Sequence, residues 1–248
     1  GVVKVTGNDY TVSDLVTINN ANEGGEINLN DRTVGLSGTA ANVKAALAGT
    51  FTTDKTHTGV VTISDNTSST VTATDITDIS TAKGSGNINI TNAVILSGSG
   101  SEVQAAAAAL NTIHGSTAAN ITGTDYTVAQ LKAINDKVGG TITLADSTAV
   151  ALTGSAGDLV NALAGDFTSA HNGEVKVTGT YNVTQLKSIN AGTDGALHLD
   201  DRTVALSGTA SNVKTALAGN FTANKTHTGV VTLSDTGTVT ATDITDIS

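Results

Sequence analysis

The sequence contains no cysteine, proline, methionine or tryptophan, and aromatic residues make up only 2% of its 248 residues. The absence of cysteine excludes a disulfide framework and any metal site built on thiolates, although it does not fix the cellular compartment. No apolar run reaches the roughly 18 residues that suggest a membrane-spanning helix, so we expect no membrane span. The scarcity of aromatic side chains indicates a thin core of valine, isoleucine, leucine and alanine.

Basic residues are also few. Acidic side chains outnumber them 22 to 12, which gives a formal net charge of −10 and an isoelectric point of about 4.7. This excess of negative charge argues against nucleic acid or an anionic membrane surface as a partner. The chain begins at Gly1 without a signal peptide, so we expect a fragment or a processed product.

A long internal repeat occupies much of the chain. The segment DRTVGLSGTAANVKAALAG from Asp31 reappears as DRTVALSGTASNVKTALAG from Asp201. The segment KTHTGVVTISD from Lys55 returns at the same offset as KTHTGVVTLSD from Lys225. Residues 1–248 therefore hold about one and a half copies of a unit of roughly 170 residues.

A shorter motif recurs nine times along the chain, at a spacing of roughly 28 residues. It consists of Ser, Thr or Asn, then two residues of which the first is usually small or β-branched, then an acidic or amide residue, then an aliphatic residue. A Ser or Thr followed three residues later by a side chain that can bond back predicts the start of a helix. The aliphatic anchors are Leu15, Val43, Ile76, Val103, Leu131, Leu159, Leu186, Val213 and Ile244.

Short runs of alternating apolar and polar residues precede these helices and predict strands, as at Val3–Val5 and Val61–Ile63. Many of the repeats have a second run of this kind just before the helix, such as Thr33–Leu36. The sequence therefore predicts a single continuous parallel β-solenoid over residues 1–248, with about nine coils of roughly 28 residues. Each coil would carry one or two short strands and a short helix. An all-β solenoid is the alternative.

Histidine and aspartate are the residue types here that most often bind metals or act in catalysis. Four of the five histidines follow alternate helices, too far apart to share a metal ion, and we expect them in surface loops. The histidines are His57, His114, His171, His198 and His227.

Five aspartates fall one or two residues after a predicted strand and would stack into a row along one edge. Such residues close turns by bonding their own backbone, and a structural calcium ion bound by their carboxylates is the alternative. The nonapeptide of calcium-binding β-rolls does not occur, which favours turn closure. These aspartates are Asp31, Asp65, Asp146, Asp201 and Asp235.

Catalysis requires a singular site, and the sequence repeats its charged residues. The two arginines, Arg32 and Arg202, occupy equivalent positions of the long repeat, and no coil carries a unique charged cluster. We therefore predict a protein that is not an enzyme, with no catalytic or cofactor-binding residues and no assigned metal ligands. The aromatic residues recur at repeat-related positions, which suggests that they plug the core or loops rather than bind sugars. They are Tyr10, Tyr126, Tyr181, Phe51, Phe167 and Phe221.

Three segments resemble repeats in very large cell-surface and adhesin-like proteins of aquatic bacteria, marine cyanobacteria among them. They are ITGTDYTVAQLKAIND at 121–136, GTITLADSTAVALTGSAGDLVNALAG at 140–165 and KVTGTYNVTQLKSINAG at 176–192. The resemblance covers the whole chain and rests on a pattern that is largely compositional. It implies an extracellular, repetitive role at the cell surface, and the family offers no catalytic residues to carry over.

These observations together predict a structural protein, a segment of a surface stalk, coat or filament. Its partners would be further coils of the same protein or identical subunits stacked head to tail, because neither end shows a polar capping repeat. The alternative is an adhesin that recognises glycans or another cell through its loop face.

Overall fold

The computed structural model describes residues 1–148 and 150–247, in which short strands alternate with short helices. The helices are α1 Val12–Ala21, α2 Ala40–Leu47, α3 Ala73–Ala82, α4 Gly100–Ala109, α5 Val128–Asn135, α6 Ala156–Leu163, α7 Val183–Gly192, α8 Ala210–Leu217 and α9 Ala241–Ile247. The strands are β1 Val2–Val5, β2 Glu26–Leu29, β3 Leu36–Gly38, β4 Val61–Ile63, β5 Thr70–Thr72, β6 Ile88–Ile90, β7 Ile95–Gly98, β8 Ala118–Ile121, β9 Ile142–Leu144, β10 Leu152–Ser155, β11 Val175–Thr178, β12 Leu197–Leu199, β13 Leu206–Gly208 and β14 Val231–Leu233.

The chain divides into two compact units. Unit 1 comprises residues 1–121 and 137–141, and unit 2 comprises residues 122–136 and those from 142 onward. In unit 1 the paired strands are β1-β2, β3-β4-β6 and β5-β7-β8, and in unit 2 they are β10-β11-β12 and β13-β14. Each of these pairs is parallel, and the sheets are open rather than closed into a barrel. The chain is thus an open, repeat-like α/β fold.

The helices begin where the nine-fold motif predicts. In α1, α4, α5 and α7 the capping side chain accepts a hydrogen bond from the third helical residue, whose own side chain bonds back to the cap. This reciprocal capping satisfies two amide groups that a helix of two or three turns would otherwise leave unpaired. Eight of the nine aliphatic anchors are fully buried, whereas Ile244 is 49% exposed.

The all-β alternative is wrong, because a helix occupies every occurrence of the motif within the described residues. The second strand of a coil also lies later than predicted. The run at 33–36 becomes β3, Leu36–Gly38, because the amide of Leu36 and the carbonyl of Gly38 bond to the next strand.

Asparagine side chains join three of the helices to the next one along the chain. Within unit 1, the Asn19 amide donates to the carbonyl oxygen of Ala45 over 2.9 Å. In unit 2, Asn135 and Asn190 make the same contact to Asn161 and Thr215, over 3.1 and 3.2 Å. These bonds satisfy carbonyl groups near the carboxyl end of the following helix, which would otherwise lack partners.

Lysine side chains add a second set of contacts between consecutive helices. Lys44 of α2 binds Asp75 of α3 at 2.9 Å, and Lys132 of α5 binds Asp158 of α6 at 3.1 Å. Each pair joins a lysine to a carboxylate in the first turn of the next helix, where the helix dipole also stabilises the negative charge.

Glycines permit neighbouring backbones to approach closely. A Cβ atom at Gly59 would lie only 2.6 Å from the carbonyl oxygen of Thr33 in the preceding coil, and one at Gly229 would lie 2.5 Å from that of Thr203. Since real Cβ atoms do not approach backbone oxygens so closely, any other residue would push two successive coils apart.

We predict that Gly59→Ala lowers the free energy of unfolding by on the order of 3 kcal/mol, because the added methyl group meets backbone rather than a mobile side chain. Urea denaturation followed by circular dichroism measures the change. Gly115→Ala is the matched control, since a Cβ there meets no atom within 4 Å. Equal stability of the two variants would refute the close approach.

Candidate functional site

The five histidines occupy different environments. His57 and His171 are completely buried, so the expectation of surface loops is wrong for these two. The Nε2 atom of His171 lies 3.1 Å from the carbonyl oxygen of Val150, and the Tyr126 ring meets the His171 ring edge-on at 6.2 Å. The sequence placed these histidines after helices without showing that the return loops fold inward. His198 and His227 are half-buried, and His114 is exposed.

The electrostatics of His57 follow from this burial. Burial, assisted by the positive charge of nearby Lys83, lowers the pKa of His57 to about 4, while the Gly59 backbone acts in the opposite direction. Lys83 is itself only 7% exposed, and its ammonium group donates to the carbonyl oxygens of Ser85 and Gly86. Burial lowers the pKa of Lys83 as well. His57 is therefore neutral at pH 7.

We predict that acid destabilises the fold through His57. Because its folded pKa of about 4 lies below the ordinary value of 6.5, its contribution to stability is complete above pH 6.5 and is lost as the pH falls from 6.5 toward 4. Melting temperatures at pH 7 and pH 4.5 measure the loss, which His57→Gln should reduce. His114→Gln, at an exposed position, should show the same drop in melting temperature as the original chain. An equal drop in both variants would contradict the prediction.

The tyrosines plug the core, as predicted. Tyr10, Tyr126 and Tyr181 are at most 5% exposed, and the hydroxyl groups of Tyr10 and Tyr126 donate to the carbonyl oxygens of Asp31 and Asp146 over 2.7 and 3.1 Å. Burial raises the pKa of each of the three phenols to about 12. The three phenylalanines are half-buried.

The five aspartates accept hydrogen bonds from backbone amides in two different ways. In Asp31, Asp146 and Asp201 one carboxylate oxygen accepts from both the amide and the hydroxyl of the threonine two residues later, over 2.7 to 3.0 Å. This is the predicted turn closure. Asp65 and Asp235 instead accept from the first amide of the preceding helix, at Ala40 and Ala210. Among the described residues, no three His, Asp or Glu side chains are grouped closely enough to hold a metal ion.

One cluster of charged residues does interrupt the repeat, contrary to the expectation that no coil carries one. Its residues lie on strands β11 and β12 of unit 2 or directly beside them. The Nδ1 atom of His198 lies 3.1 Å from Oε1 of Glu174, and Lys176 binds Asp200 at 3.0 Å. Lys176 is the main cause of the lowered pKa of Asp200, with smaller contributions from His198 and Lys225. We call these five residues the charged cluster.

A comparison of the two copies of the long repeat could have revealed this cluster. The segments KVTG at 4–7 and 176–179 are identical, and INLND at 27–31 aligns with LHLDD at 197–201. Unit 1 carries Val2, Asn28 and Asn30 where unit 2 carries Glu174, His198 and Asp200, so the charges arise from three differences at equivalent positions of the two copies. The sequence pattern alone could not show that these side chains share one face of a sheet.

The geometry of the charged cluster limits its chemistry. The Glu174 carboxylate orients the His198 ring, as a carboxylate does for a catalytic base, but the Nε2 atom of His198 is shielded from solvent and has no hydrogen-bond partner. A substrate therefore cannot reach the nitrogen that would accept its proton. The other pair of the cluster, Lys176 and Asp200, is partly exposed, and such pairs contribute little to stability.

We predict that the charged cluster is dispensable for folding. Replacing Glu174 by Val, His198 by Asn and Asp200 by Asn together restores the residues of unit 1 and should change the free energy of unfolding by less than about 1 kcal/mol. Chemical denaturation of the triple variant and of the original chain provides the comparison. A much larger loss would assign the cluster a structural role.

Shallow grooves follow the helix faces. One groove, of about 450 Å³, lies between α5 and α6 and is lined by residues that include Val128, Lys132, Gly154 and Asp158. A related groove of about 360 Å³ lies between α1 and α2, where Val12 faces Gly38 in the same way. Both grooves are consequences of the repeat, since each arises where a valine at a helix start faces a glycine of the next coil.

Comparison of the chain with protein-family models, with curated proteins and with solved structures found no match. No helix in the described part of the chain is long and apolar enough to cross a membrane.

Proposed function

We propose that this chain is a structural repeat protein, a segment of an extracellular stalk, coat or filament at a bacterial surface. In this proposal the coils form a continuous parallel solenoid over residues 1–248, with a short helix in each coil. The observation that carries the proposal is that polar contacts between consecutive coils recur with the same residue types.

These contacts support a structural role because each of them joins one coil only to an adjacent coil. The asparagine bonds, the lysine–carboxylate pairs and the parallel strands all connect one coil to the next one within a unit. In such an array the stability accumulates with each added coil, and length can change without redesign of a central core. This property suits a protein whose task is to span distance.

The other candidate functions have less support. An adhesin that binds sugars benefits from exposed aromatic rings, but the three tyrosines are buried. An enzyme needs a reachable acid, base or nucleophile, but in the charged cluster the free Nε2 atom of His198 is shielded from solvent. Neither observation favours a binding or catalytic role over a structural one.

Immunogold electron microscopy of intact source cells, with antibodies raised against the 248-residue chain, tests the proposal. We expect gold particles on the outer surface, in extended arrays or in a continuous layer. Labelling confined to the cell interior would overturn the surface location. A glycan array probed with the same chain completes the test, because strong and selective binding would replace the structural function by that of an adhesin.

A further inference from the structure

The sequence contains six copies of the Asn-X-Ser/Thr triplet that the enzymes of N-linked glycosylation recognise. The triplets begin at Asn66, Asn89, Asn120, Asn182, Asn220 and Asn224. Proline in the middle position would prevent modification, and this chain contains no proline. Because a chain rich in asparagine and threonine produces such triplets by chance, the fold has to show which of them an enzyme can reach.

Three of the triplets belong to the regular elements of the fold. Asn89 lies on β6 and its Oδ1 atom is shielded from solvent, and Asn120 lies on β8 with its amide 3.5 Å from the hydroxyl of Ser97. Asn182 caps α7 and accepts a hydrogen bond from the amide of Gln185 over 3.0 Å. Strand pairing or helix capping therefore occupies these three segments.

The triplets at Asn220 and Asn224 lie against the strands of unit 2. The Thr222 hydroxyl, which the first of them would present to an enzyme, is shielded from solvent. In the second, Lys225 is half-buried, and its carbonyl oxygen accepts a hydrogen bond from the Leu199 amide of β12 over 3.3 Å. Each of these two triplets therefore has a residue held against the fold.

The remaining triplet is exposed at all three of its residues, Asn66, Thr67 and Ser68. It forms a tight turn between β4 and β5, in which the Ser69 amide donates to the Asn66 carbonyl oxygen over 3.0 Å. The Ser68 amide connects this turn to the next coil by donating to the carbonyl oxygen of Ala93 over 2.7 Å. No described residue hydrogen-bonds to the side-chain amide of Asn66. An enzyme can therefore approach this asparagine while the coil stays folded.

This turn also interrupts the long repeat. In the first copy, the segments SD at 64–65 and TVTATD at 70–75 are separated by the four residues NTSS. In the second copy, SD at 234–235 and TVTATD at 238–243 are separated by the two residues TG. The first copy is thus two residues longer at this point, and the exposed triplet lies within the longer connection. The repeat itself does not explain this segment.

We propose that Asn66 is a site of N-linked glycosylation, with an oligosaccharyltransferase as the partner and a lipid-diphosphate-linked oligosaccharide as the sugar donor. The Nδ2 atom of Asn66 forms a bond to C1 of the first sugar, and the bond between C1 and the diphosphate oxygen breaks. The lipid diphosphate leaves with the bonding electrons, and the amide nitrogen loses one proton to solvent. The proposal rests on the proposed surface function, to which it adds a hydrophilic modification of an exposed loop.

Mass spectrometry of the chain purified from its source cells tests the proposal. Trypsin cleavage after Lys55 and Lys83 releases peptide 56–83, in which Asn66 is the only asparagine. We expect this peptide to carry hexose or N-acetylhexosamine residues, with fragment ions that assign the sugar to Asn66. An unmodified peptide would overturn the proposal, and so would a sugar assigned only to its serine or threonine hydroxyls.

Two substitutions within the triplet provide a matched pair. Ser68→Gly removes the hydroxyl that the transferase requires, and the fold tolerates this change because glycine readily adopts the φ of 65° found there. Thr67→Ala alters the middle position, where residues other than proline are accepted. Expressed in the source cells, Ser68→Gly should lack the sugar and Thr67→Ala should retain it. The same sugar content in both variants would contradict the proposal.

Immunogold labelling separates this proposal from the surface function on which it rests. An unmodified Asn66 in a chain that labels the outer surface would overturn the glycosylation alone. Labelling confined to the cell interior would overturn the surface location, whatever the mass of peptide 56–83.

Discussion

Within each unit, successive repeats are joined by parallel main-chain pairing of their strands, and the spacing of these strands sets the distances of the other contacts. Adjacent strands lie about 4.8 Å apart, which brings the return loops of neighbouring coils close enough that Gly59 and Gly229 nearly touch carbonyl groups of the preceding coil. Helices usually pack about 8–10 Å apart, depending on the side chains between them. The buried alanines of α2, α4 and α6 suit a closer approach.

The residue composition of the core follows from the close spacing of the paired strands. A large side chain between coils would separate the strands, so the core is built from valine, isoleucine, leucine and alanine in thin layers. Tyrosine and histidine rings pack edge-on against each other in two places, Tyr126 against His171 at 6.2 Å and Tyr181 against His227 at 6.3 Å. Polar side chains such as Asn19 and Lys44 are used where a helix of two or three turns needs a neighbour to satisfy its ends.

The periodic features of the fold could be predicted from the sequence because each depends on local chemistry. The reciprocal caps at Thr11 and Ser99 and the burial of Leu15 and Val43 follow from residue types at fixed spacing. The inward course of the loop that carries His57 could not be predicted, since it depends on the space between coils. The three residue differences that create the charged cluster are visible in the sequence, but the contact between Glu174 and His198, 24 residues apart in the chain, depends on strand register.

The equivalence of the two repeat copies has a consequence for the gene. Contacts between coils use the same residue types at equivalent positions of the two copies, as at Lys44 and Lys214, which both bind acids of the next helix. Unequal crossing-over between the two matching DNA segments would add or remove one whole repeat and still join compatible surfaces. A crossover out of register would place a strand against a helix face and break the ladder. Selection on folding would therefore allow alleles of this protein to differ in length by whole repeats.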